Sequence, residues 1–223
     1  MSPPTLAIGE HVSHAQPAQR VIVHSVSWTT YEHLLADLSN QSSTRLTYDR
    51  GMLEIMCPLP EHEEWNRTIA LLVEVLAEEM RIDIRNFGST TFRRADLARG
   101  FEPDSCFYIQ HEADISGKST IDLTVDPPPD LVIEVDITRS SLDKFPIYAQ
   151  LGVPEVWRYD GQRLSIYSLM AEGYVESEVS HALPLLTGPW LSEVLIQSKT
   201  MKRTALLRWF RTWVRQQRQR RRR

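Results

Sequence analysis

The sequence predicts a single α/β domain, a mixed sheet with helices on its faces, and three observations carry that reading. Glu61 to Met80 places Trp65, Ile69, Leu72, Val73, Leu76 and Met80 along one stripe at helical spacing, as in a helix lying on a sheet. Leu131 to Ile137 reads as a strong strand, and short strand-like segments alternate with helical ones over most of the chain, which favours mixed sheet covered by helices. The 223 residues are 42% hydrophobic and 24% charged, enough for one domain with a real core.

The elements follow in order. Residues 1–24, rich in Pro, Ala, Ser and Gln at their start, are expected to be a flexible lead-in to a domain over 25–200. Trp28-Thr29-Thr30 opens a short helix with Tyr31, Leu34, Leu35 and Leu38 on its apolar side. Arg45 to Tyr48 and Met52 to Met56, joined by Asp49-Arg50-Gly51, form a hairpin, and Pro58-Leu59-Pro60 stops its second strand before the long helix. Strands are predicted at Ile82 to Phe87, Ser89 to Arg93 and Phe101 to Ile109, then a polar loop runs from Gln110 to Asp126.

After the strand at Leu131, Ser140 to Leu151 is helical, although Pro146 removes a backbone donor and moves the regular helix to about Phe145. Glu155 to Tyr159 and Arg163 to Leu169 are strands around the turn at Asp160-Gly161. A last helix within 201–223 carries an apolar stripe of Leu206, Leu207, Phe210, Trp213 and Val214, with the arginines on its other side and Arg220 to Arg223 frayed.

The net charge of -4 conceals an asymmetry: residues 201–223 hold ten basic side chains and no acidic one. Such an end either contacts phosphates or is a solvated tail. No apolar run reaches the length of about 20 residues that a membrane helix needs, and Met1 to His14 lacks the pattern of a signal peptide, so a cytoplasmic location is expected. Cys57 and Cys106 show no zinc-type spacing and read as reduced thiols. No GxGxxG, Walker, GxSxG or HExxH pattern occurs, which argues against nucleotide binding by those routes, serine hydrolases with a nucleophile elbow and zinc proteases.

The chemistry concentrates in Asp130-Leu131-Val132-Ile133-Glu134-Val135-Asp136. Period-two alternation places Asp130, Glu134 and Asp136 on one face, where neighbouring carboxylates repel and need a cation, a lysine, a proton or water in compensation. Glu102-Pro103-Asp104 supplies another acid at the entry of a strand, and Lys144 follows Glu134 by ten residues, so Asp, Glu and Lys together describe phosphodiester hydrolysis. A wet edge strand and an ordinary surface lysine beside Asp143 are the plainer alternatives.

Glu102-Pro103-Asp104, Pro129 to Val135, Asp143-Lys144, Tyr148 and Gly152-Val153-Pro154-Glu155-Val156-Trp157 resemble the Uma-two family of restriction-endonuclease-like proteins, over roughly Ser25 to Leu186. The resemblance implies a PD-(D/E)xK core, with Asp104 and Glu134 as ligands of Mg²⁺ or Mn²⁺ and Lys144 as a lysine moved from the strand to the following helix. Asp136 stands where that motif normally has its lysine. An acid from the first long helix is also implied, for which Glu63 is chosen; His62 beside it could be a general base but reads more simply as a capping or surface residue. The implied activity is a DNA endonuclease with Asp136 and Glu63 assisting, DNA as partner, and a homodimer by family analogy. Two rivals are a non-catalytic nucleic-acid-binding or protein-interaction module that keeps the fold, and a metal-dependent hydrolase of a smaller substrate.

Overall fold

The computed structural model describes residues 19–38, 44–137 and 142–220. Strand β1, Gln19–Val23, lies inside the stretch expected to be a lead-in; its five residues pair antiparallel with the third strand in full register, Gln19 opposite Cys57 and Val23 opposite Leu53. Residues 1–18 of that expected lead-in lie outside the described residues. Helix α1, Trp28–Leu38, buries Tyr31, whose ring stacks on Tyr48 with centroids 4.8 Å apart.

The hairpin forms as the sequence predicts, from β2, Arg45–Asp49, and β3, Met52–Cys57. Arg50 and Gly51 make its turn with φ of 46° and 95°, the left-handed pair that suits the twist of a two-residue hairpin. Helix α2, Pro60–Met80, starts on Pro60 in its first turn and ends on Arg81, whose left-handed backbone lets Arg81 and Ile82 donate back to Glu78 and Ala77.

The run Ile82 to Phe87 contributes only β4, Arg85–Asn86, because its first residues complete that helix cap. β5, Phe92–Arg94, pairs with β6, Arg99–Phe101. The strand predicted from Phe101 to Ile109 is two strands, β6 and β7, Ser105–Tyr108, separated at Pro103, which has no N–H to give a ladder. β8 is Leu131–Val135 and α3 is Phe145–Leu151. Pro146 sits in the first turn of α3, where its missing donor costs nothing; residues 140–141 of the predicted helix lie outside the described residues.

β9, Glu155–Tyr159, and β10, Leu164–Met170, match the prediction, while β11, Gly173–Ser177, and α4, Gly188–Ser198, extend it. α4 is capped by the Thr187 hydroxyl, which accepts from Trp190 N, and has a proline in its first turn. α5 is Arg203–Arg220, and residues 221–223 lie outside the described residues.

The mixed α+β architecture flanked by helices forms as the sequence predicts, with its strands divided between two sheets. The first has the order β1-β3-β2-β6-β5 and the second β11-β10-β9-β8-β7-β4. β8 is central in the second, antiparallel to β7 and parallel to β9 through α3. One face of β8, Leu131, Ile133 and Val135, meets α2, α4 and α5 in the main core; Val132 on the other face joins Cys106, Tyr108, Ile147 and Tyr148 in a second cluster. α5 is no appendage: Leu206, Phe210 and Val214 lie in the main core.

Candidate active site

The site forms where the end of β8 meets the start of β7. Ser105 pairs with Ile133, so the next antiparallel pair brings Asp104 opposite Glu134 although thirty residues separate them in sequence. Asp104 is 2% exposed, and its Oδ2 accepts the Val135 N–H at 2.7 Å. Its Oδ1 lies 3.2 Å from Arg45 Nε, yet neither atom has a hydrogen bond of good direction; the contact is electrostatic.

Glu134 projects toward α3. Its Oε2 accepts from Lys144 Nζ at 2.7 Å and its Oε1 accepts from the Tyr148 hydroxyl. Burial, and then the Glu134 charge, push the Asp104 carboxyl above the usual range despite His62, Arg45 and Lys144. Burial alone would lower Lys144, but Glu134 and Asp104 outweigh it and hold the ammonium above the usual lysine range. Lys144 is therefore a cation at neutral pH. Burial and Glu134 also raise Tyr148 well above an ordinary phenol, so it remains an O–H donor.

The remaining predicted residues are linked to this centre less directly. Glu63, in the first turn of α2, holds Arg45 Nη2 at 2.5 Å, which connects it to Asp104 through the guanidinium. Asp136 binds Arg158 Nη2 at 2.6 Å and Arg20 Nη2 at 3.5 Å. Asp130 stands just before β8, at its other end from Glu134, and accepts from Ile109 N, His111 N and the His111 ring, so it fastens the loop after β7.

Sequence reading missed Arg45, Arg20 and Arg158, because strand arginines carry no local signature of the acid they will meet. It set His62 aside as a capping or surface residue. His62 is 3% exposed, with Nε2 3.6 Å from Asp104 Oδ2 and neither ring nitrogen hydrogen-bonded. Its position two residues past Pro60 at the entry of α2 was the available signal.

Glu134, Asp136, Lys144, Arg20 and Arg158 line a cavity of about 380 Å³. Asp104, Arg45, Glu63 and Arg203 line a separate hollow of about 620 Å³. The two carboxylates of the centre thus stand between two openings. Among the described residues, no three His, Cys, Asp or Glu side chains form a ready metal cage. A hard cation that keeps most of its waters needs only one or two carboxylates. Asp104 Oδ1, paired electrostatically with Arg45 but accepting no directed hydrogen bond, keeps accepting capacity for that purpose.

The class the fold defines is a mixed α+β domain with two sheets flanked by helices. The family model Uma2, described as "Putative restriction endonuclease", matches residues 28–197, more than half of the chain, and the chain belongs to that family. β1 and α5 fall outside the matched span. The chain is similar in structure to a "putative nuclease belonging to DUF820" from Anabaena variabilis ATCC 29413, at 15% identity and a TM-score of 0.46, over 74% of this chain and 90% of that one. No curated protein matches the chain. The family suggests a nuclease and implies a nucleic-acid substrate. No helix among the described residues is long and apolar enough to cross a membrane.

Proposed function

We propose that the protein is a DNA endonuclease that hydrolyses phosphodiester bonds with a divalent cation. The observation that carries this reading is the meeting of Asp104 and Glu134 across adjacent strands with Lys144 Nζ 2.7 Å from Glu134. Asp104 and Glu134 would hold Mg²⁺ or Mn²⁺, which supplies Lewis acidity and neutralises phosphate charge when bound.

The chain's own groups supply the rest. Lys144 is held protonated, so its role is to donate to a phosphate oxygen and stabilise the charge gathering there; it has no lone pair to accept a proton from water. Tyr148 donates to Glu134 and fixes its orientation, and the Val135 N–H does the same for Asp104. Arg45 ties Asp104 to Glu63 and holds the entry of α2 against the centre. A cytoplasmic homodimer acting on DNA remains the working expectation.

A second reading rests on one observation: each carboxylate at the centre already faces an Arg or Lys, the arrangement of a binding module that keeps the fold without the chemistry. One experiment separates them. Purified protein is incubated with plasmid, linear duplex and single-stranded DNA in Mg²⁺ or Mn²⁺, beside Glu134→Ala, Lys144→Ala and an EDTA control. Cleavage lost in EDTA and in both variants supports the nuclease. DNA binding without cleavage in either metal favours the module, and absence of both turns attention to smaller phosphate esters.

A further inference from the structure

We infer that the cavity beside Glu134 is a phosphate-recognition subsite, in which Arg158 and Arg20 contact a substrate phosphate and Asp136 is the positioning residue that holds them there. The inference rests on the nuclease reading for its macromolecular substrate, a nucleic-acid backbone, but its geometry stands separately.

Three cations from three elements converge on this cavity: Arg20 of β1, Arg158 of β9 and Lys144 at the entry of α3. The sequence motif leaves a gap here, since Asp136 occupies the place of a lysine; the fold fills it from the two neighbouring sheets. Asp136 receives Arg158 at 2.6 Å and Arg20 at 3.5 Å, and its own N–H is fixed by Tyr159 O at 2.7 Å. An acid at that position brings in two guanidinium groups where a lysine would bring one ammonium.

Arg20 is incompletely used in this arrangement. Its side chain is 11% exposed, it lies 4.0 Å from Glu54 Oε2, and its Nε and Nη1 have no hydrogen-bond partner. A buried guanidinium with unmet donors favours an incoming acceptor with several oxygens. Arg158 is 44% exposed with one nitrogen held by Asp136, so its outer edge is available at the mouth. The forked, planar donors of both arginines match a phosphate better than a point ammonium does.

The test is binding of a short DNA duplex to the full chain in EDTA across a salt series, with wild type, Arg158→Gln, Asp136→Asn and, as control, Arg163→Gln, whose side chain pairs with Glu176 away from the cavity. Inorganic phosphate titrated by ³¹P NMR forms the second arm. The expected result is about tenfold weaker duplex binding by Arg158→Gln, a salt slope lower by about one, a smaller loss in Asp136→Asn, and no change in Arg163→Gln. Conservative Arg158→Lys should recover part of the affinity. Equal affinity and slope in wild type and Arg158→Gln would overturn the subsite while leaving the nuclease reading intact. If wild type ignores DNA but binds inorganic phosphate in an Arg158-dependent way, the subsite holds and the DNA reading fails. Binding of neither ligand overturns both.

Discussion

Lys144 Nζ stands 2.7 Å from Glu134 Oε2, and each side chain is only 12% exposed. An ion pair this sheltered depends on both members, because removing one leaves the other charge buried without its partner. Lys144→Met and Glu134→Gln should each destabilise the fold by about 3–5 kcal/mol, and the double variant should cost clearly less than their sum. Urea unfolding of the four proteins measures this. Strict additivity would show that the two groups do not stabilise one another.

Metal binding by Asp104 and Glu134 can be measured without cleavage. Titration calorimetry with Mn²⁺ should give binding in wild type and in Glu63→Gln, and a loss of at least about tenfold in Asp104→Asn and in Glu134→Gln. Near-UV circular dichroism on the same samples confirms native packing. Unchanged affinity in Asp104→Asn would remove Asp104 from the ligand set.

Asp49 gives a pH dependence with a definite sign. Burial alone would raise its pKa, but Arg50 Nε at 3.0 Å and Arg99 Nε at 2.8 Å outweigh it and hold the carboxyl below its ordinary 3.8. A group depressed on folding adds stability above its unfolded pKa and loses it as pH falls through the folded value. Asp49→Asn should therefore cost about 1–3 kcal/mol at pH 7, and the difference from wild type should close as pH falls below 3.8. Urea midpoints across that range check it; a gap that widens in acid would contradict the pairing.

The last helix separates packing from charge. Phe210 is fully buried in the main core, so Phe210→Ala should cost about 3–5 kcal/mol. Arg215, 64% exposed against Glu79, should leave the unfolding midpoint nearly unchanged when replaced by Gln, because solvent screens the pair. Thermal unfolding of the two variants tests the contrast, and comparable losses would mean that α5 is held by its arginines. The same pairing limits the basic end as a nucleic-acid contact, since Arg211 and Arg215 already engage Glu78 and Glu79 of α2.

Gly100 marks the contact between α1 and the first sheet. A Cβ there would lie 2.2 Å from the Tyr31 hydroxyl oxygen, and Tyr31 cannot swing aside because its ring stacks on Tyr48 and meets Trp28 at 5.1 Å. Gly100→Ala should cost about 1–3 kcal/mol as overpacking. A urea midpoint unchanged from wild type would show that α1 yields readily.

Several elements could be read from sequence because their signals are local. The spacing from Trp65 to Met80 follows from the helical period, the β2–β3 turn from Arg50-Gly51, and the start of α3 from Pro146. Asp104, Glu134 and Lys144 were legible as acids at strand ends and a lysine in the next helix. β11 and α4 were passed over even though Thr187-Gly188-Pro189 offered a cap followed by a proline. β1 was missed because a strand whose partner among the described residues is β3, thirty or more residues later, has no signal apart from its pairing.

The sequence by itself determined the helical and strand periods, the Pro and Gly breaks, and the residue types able to hold a cation or donate to a phosphate. Tertiary structure alone decided that Asp104 stands opposite Glu134, that the strands divide into two sheets, and that Arg45, Arg20 and Arg158 compensate the acids. Strand pairing across long chain separations is set by which faces bury together, and a buried charge acquires its partner only when that burial occurs.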